Sequence, residues 1–206
     1  MKKLKYVASI LIAVTCLGLQ HAKADTVDFT LTIANSSTLG PGPFGTVDVN
    51  RTSTTTAIIT FTAASGFLFV DGSAVDVNVN ASSFTATNFM VTPVTAEAVT
   101  ASGSKNVDGF GTFNDTNSQM DAAHGASTVV FTLTNTSGTS WLTASQVLIA
   151  NANGNTVAAH VFVVGSNGVT GFVTNGTPSV PDGGTTVMLL GAALGALGMA
   201  RRFIMS

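Results

Sequence analysis

Few side chains in these 206 residues are of kinds that do chemistry, and their spacing narrows what they can do. Asp115, Asn117 and Asp121, with Asp108 and Asn114 close by, offer hard oxygen atoms of the kind that suit Ca²⁺. The order Asp115-x-Asn117-x-Gln119 echoes the start of an EF-hand loop, but the glycine at its sixth position and the distal glutamate are missing. Asp115, Asn117 and Asp121 are therefore calcium candidates in what reads as a solvated acidic loop, and no metal is assigned. His124 and His160 fall short of the three or four ligands of a zinc site unless carboxylates complete it. His160 shares an alternating face with Ala158 and Phe162 and is expected to pack on a sheet. His124, in the polar stretch Met120–Gly125, is expected in solvent. No G-x-S-x-G elbow occurs, and one glutamate, Glu97, is poor material for a glycosidase pair. The expectation is a protein that is not an enzyme and takes no cofactor.

Two further features have plainer readings than their motifs suggest. Gly40-Pro41-Gly42-Pro43-Phe44-Gly45 matches G-x-G-x-x-G in form. A dinucleotide site needs free amides and a helix opening at the third glycine. Pro41 and Pro43 carry no N–H, and Thr46–Asn50 continues as a strand, so this is a turn-rich loop. Trp141, the only tryptophan, would serve as a sugar contact if exposed; a place in the core is the preferred reading.

The elements that must position these residues are strands. Val27, Phe29, Leu31 and Ile33 alternate with polar residues, as do Ala57, Ile59 and Phe61, then Val75, Val77 and Val79, then Val129, Phe131 and Leu133. Phe67–Val70, Phe84–Val91, Gln146–Ala150, Val157–Val164 and Gly171–Thr174 read as further strands, with Gly, Asn, Asp and Ser between them. About nine to eleven short strands without a helical period predict an all-β fold, an antiparallel β-sandwich of jelly-roll type. It occupies residues 25–179, a comfortable length for one domain. That segment holds two basic residues, Arg51 and Lys105, against nine acidic ones, a net charge of about −7. Such a surface excludes nucleic acid as a partner, since binding to phosphates needs a basic footprint.

Both ends of the chain read as addresses. Three lysines precede an apolar run over Tyr6–Leu19, and Ala22-Lys23-Ala24 supplies a small-x-small site for signal peptidase. Residues 1–24 are expected to be a cleaved signal peptide, with Ala22 and Ala24 at the cleavage site. Cys16, the only cysteine, lies inside it, so the mature chain is expected to have no disulfide and no thiolate metal site. Residues 180–206 open with Val180-Pro181-Asp182-Gly183-Gly184, continue through an apolar segment, Thr185–Ala200, and end in a basic tail from Arg201 and Arg202. As a helix that segment is roughly 24 Å long, short against a hydrocarbon core of about 30 Å. The two arginines would flank it on the cytoplasmic side, leaving the domain outside a membrane held by a single transmembrane helix. Pro181 keeps Val180 extended and the two glycines keep the chain pliable, as a processing enzyme requires.

These residues carry a resemblance. Val180–Gly184, the short apolar segment and the arginine pair resemble the PEP-CTERM class of bacterial sorting signals, in its VPDSG-CTERM variant. Gly183 stands where that variant usually has serine, and the glutamate of the parent motif is absent. The resemblance implies an exosortase, a membrane-embedded transpeptidase-like enzyme, as the processing partner. It implies export, tethering to the inner membrane during sorting, and then release or attachment at the cell surface or in the extracellular matrix. Binding of exopolysaccharide by the exported domain is the alternative to a purely structural role.

Overall fold

The computed structural model describes residues 25–70, 72–93, 100–118 and 124–175. Within them the fold is all-β and antiparallel. The strands are β1 (Asp25–Ala34), β2 (Gly45–Arg51), β3 (Thr56–Ala63), β4 (Phe67–Phe69), β5 (Val75–Val77), β6 (Phe84–Thr92), β7 (Thr100–Val107), β8 (Gly111–Ser118), β9 (Thr128–Asn135), β10 (Val157–Val163) and β11 (Thr170–Asn175). Hydrogen bonding joins them into one sheet in the order β6-β9-β3-β2-β1-β11-β10-β5-β8-β7, with β4 beside β10. The sheet curls until β6 and β7, its two edges, touch. One curled sheet thus closes round the core, where two separately bonded sheets were expected.

The alternation legible in the sequence builds that core. Val27, Phe29 and Leu31 of β1, Val47 and Val49 of β2, Ile59 and Phe61 of β3, and Phe131 and Leu133 of β9 all point inward and are buried. Phe61 meets Phe69 edge-on, with ring centroids 5.9 Å apart, and stacks on Phe131 at 6.4 Å. Gly45 is fixed by space: a Cβ there would stand 2.6 Å from the Thr62 carbonyl oxygen. It opens β2, so the G-x-G-x-x-G stretch leads into a strand, as its prolines indicate.

Two segments differ from expectation. Gln146–Ala150 is not a strand. Ala144–Gln146 forms a 3-10 turn, and only Leu148 bridges, to Val79. The amides of Gln146 and Val147 bond back to Thr143 and Ala144, using groups that a ladder would need. The Ala144 amide meets the Asp25 carboxylate at 2.7 Å, and that carboxylate also pairs with Arg51 at 3.0 Å. Conversely, Thr100–Val107 and Gly111–Ser118, too polar to read as strands, pair as a hairpin across the three-residue turn Asp108-Gly109-Phe110. The signal segment and the C-terminal apolar segment both lie outside the described residues; among those residues, no helix is long and apolar enough to cross a membrane.

Candidate functional site

The first site grows from the β5–β8 pairing. Asp76 lies opposite Thr116 on one side and Ala158 of β10 on the other, so these three side chains share a face. A bulge keeps Phe113 on that face too. Gly103 pairs with Thr116 but Lys105 pairs with Phe113, which gives β8 one residue more than β7 between the two pairs. Phe113 then packs with Val107, Phe110 and Ala158 in a small second core on the outside of the sheet, Phe172 beside it. Phe110 is held down by Asn151 and Asn155, whose amides donate to its carbonyl at 3.0 and 2.9 Å. This cover buries Asp76, Thr116 and Ser73 completely.

Among the described residues, neither oxygen of Asp76 meets the geometry of a hydrogen bond, nor does Ser73 Oγ or Thr116 Oγ1. Burial pushes the Asp76 carboxyl well above the usual carboxylate range. The hydroxyl of Thr116, the charge of Lys105 and the hydroxyl of Ser73 pull the other way, and the charge of Asp115 adds to the rise. Asp115 and Asn117 pair with Val77 and Val75 and so face the main core from the opposite side of the sheet. Asn117 Nδ2 donates to Asp115 Oδ2 at 3.3 Å, and burial raises Asp115 to about 6.

A second arrangement covers the outside of β1, β2, β3, β9 and β6. Thr30, Thr46, Thr62, Thr128 and Thr92 stand in one row, each paired with the next across five strands. In the adjacent row Asp28 and Asp48 are directly opposed. Partial burial, a hydrogen bond that protonated Asp48 donates to Asp28, and the charge of Asp28 raise Asp48 to about 6.

The residues singled out in the sequence fall as follows. Asp115 and Asn117 sit on strand β8 and not in a solvated loop; alternation and the bulge turn them inward, and both are buried. Asp121 lies outside the described residues. Among the described residues, no three of His, Cys, Asp and Glu gather as metal ligands. His160 is half-buried on β10 and stacks on Phe172, with centroids 4.4 Å apart, while His124 is exposed. Trp141 is 2 % exposed, and its Nε1 donates to the Asn80 carbonyl at 2.9 Å, so its ring fills the core and offers no platform to a sugar. Ala22, Ala24, Val180, Pro181, Asp182, Gly183, Gly184, Arg201 and Arg202 lie outside the described residues. Sequence reasoning missed Asp76, Ser73 and Thr116. The one signal for Asp76 was its place in the alternating Val75–Val79 run, where it reads as an outward, solvated residue.

No curated protein and no solved structure matches this chain significantly. A family model does match, over residues 179–203, and its description is the VPDSG-CTERM motif. The match covers the tail alone, the same Val180–Gly184 stretch, apolar segment and arginine pair that stand out in the sequence. This chain is therefore a carrier of the VPDSG-CTERM motif, the C-terminal sorting signal of an exported protein.

Proposed function

We propose that this is a non-enzymatic protein of the cell surface or extracellular matrix, exported by residues 1–24 and processed at its tail by an exosortase. The observation that carries the reading is the VPDSG-CTERM match at residues 179–203. A short apolar segment closed by Arg201 and Arg202 fits a temporary stop in the inner membrane better than a permanent span. An acidic domain with a cysteine-free mature sequence suits a place outside the cell, held together by packing alone. Replacing Pro181 and Asp182 by alanine and fractionating the native host tests this. The variant is expected to stay in the membrane fraction with its tail attached; a distribution unchanged from the parent would count against it.

The threonine row supports a second reading, that the domain holds exopolysaccharide. Hydroxyls at strand spacing can hydrogen-bond to sugar hydroxyls without charge. Pull-down on purified host polysaccharide, with Thr46 and Thr62 replaced by valine, would separate this from a purely structural role. Loss of binding in the variant is expected if the face is used.

A further inference from the structure

The outer face of β1, β2 and β3 sets a pair of carboxyls among hydroxyls. Asp28 and Asp48 are directly opposed there, framed by Thr30 and Thr46 on one side and by Thr26 and Asn50 on the other. Thr60 of β3 lies across from Asp48. The two basic residues of the domain stand elsewhere: Arg51 pairs with Asp25, and Lys105 is on β7 at the edge of the sheet. Like charges directly opposed weaken a strand pair. Everything that acts on Asp48 raises its carboxyl, burial first, then the hydrogen bond to Asp28 and the charge of Asp28. The fold thus keeps an arrangement that a cation from outside would relieve. We infer that this face binds a polysaccharide of amino sugars with free amines, one ammonium group seating at Asp28 and Asp48 while sugar hydroxyls meet the threonines. The inference rests on the reading that the domain holds exopolysaccharide, and it names the chemical class.

The match is one of number and kind. An ammonium carries three donors. Asp28, Asp48 and Asn50 bring acceptors at neighbouring positions of one face, and Asn50 Oδ1 is a sheltered oxygen that has no hydrogen-bond partner among the described residues. A turn of the Asn50 side chain gives that oxygen a donor. Two carboxyls and one amide are too few oxygens for calcium, which takes six to eight. Sugar hydroxyls donate and accept, as threonine hydroxyls do, and neighbouring strands offer them about 4.8 Å apart to a chain laid across the sheet. Thr46 and Thr62 are exposed, and Thr30 and Thr60 are half-buried. Among the described residues, no tryptophan, tyrosine or phenylalanine lies on this face. A neutral sugar therefore finds no ring to stack on, and charge must supply the selectivity. A cationic peptide would use the carboxyls and leave the threonines idle.

The full chain, purified in mild detergent, is titrated calorimetrically at low salt and pH 6.5 with the hexamer of glucosamine. The hexamer of N-acetylglucosamine and cellohexaose are its neutral counterparts, and hexalysine carries the charge without the hydroxyls. The glucosamine hexamer is expected to bind about tenfold more tightly than either neutral hexamer, and added salt should weaken it. Asp48→Asn, which removes one of two repelling carboxyls and so does not threaten the fold, should abolish that preference. Thr46→Val together with Thr62→Val should weaken the glucosamine hexamer and leave hexalysine unchanged. Asp108→Asn, which removes an exposed carboxylate elsewhere, should change nothing. Equal affinity for the neutral hexamers, equal affinity for hexalysine, or a preference that survives Asp48→Asn would each overturn the assignment. A parent chain retained on host polysaccharide that ignores the glucosamine hexamer overturns this assignment alone. Failure on both removes the polysaccharide reading with it.

Discussion

A carboxyl that is easier to protonate in the fold than in the free chain works against folding once the pH is high enough to ionise it. Asp48 and Asp115 both stand at about 6 in the fold, against 3.8 as their reference value. Below about pH 4 both states hold the proton and nothing is lost. As pH rises from about 4 to 6 the unfolded chain gives up its protons first, so stability falls through that window and levels off above it. For the buried Asp115, two units amount to roughly 3 kcal/mol at most. The urea midpoint is expected to be higher at pH 4.5 than at pH 7.5, and Asp115→Asn should flatten the dependence. A midpoint that climbs over the same range would contradict it. Trp141 makes a second test at this scale. Its ring is buried and its N–H is paired, so Trp141→Ala should cost about 3–5 kcal/mol, read by the same denaturation. The burial of Trp141 was a preference in the sequence; the burial of Asp115 was hidden there. A run of Asn, Asp and Thr reads as solvent-facing unless the strand that covers it is known.

At the scale of elements, the strands with apolar residues at every second position could be read directly, because one buried face is all that such a strand needs. β1, β3 and β9 are of this kind. β7 and β8 are not: the polar residues of β7 are exposed, while Asp115, Thr116 and Asn117 of β8 are buried by long-range pairing and by a bulge, which leave no local trace. The Gln146–Ala150 apolar run failed for the opposite reason, since its backbone groups are spent on a 3-10 turn capped by Asp25. Close approach of β2 to β3 gives a prediction that belongs here. Gly45→Ala places a methyl 2.6 Å from the Thr62 carbonyl, so the strands must separate or shift. A loss of about 1–3 kcal/mol is expected in denaturant unfolding. A fully stable variant would mean that the pair is looser than its geometry indicates.

For the whole molecule, the address and the domain were legible to different depths. A sorting tail is a linear signal, read by an enzyme in order along the chain, so Val180–Gly184, the apolar segment and the arginines could be seen without a fold. Asp76 and Ser73 meet Thr116 only after β5 and β8 pair across about forty residues of sequence, and no spacing rule announces that. The central claim is that both ends are addresses and the domain between them is the finished product. Mass spectrometry of the protein isolated from the native host measures both ends at once. It should find an N-terminus at Asp25 and a C-terminus within or close to Val180–Gly184, with Thr185–Ser206 gone. A mature chain that still ends at Ser206 would contradict the claim.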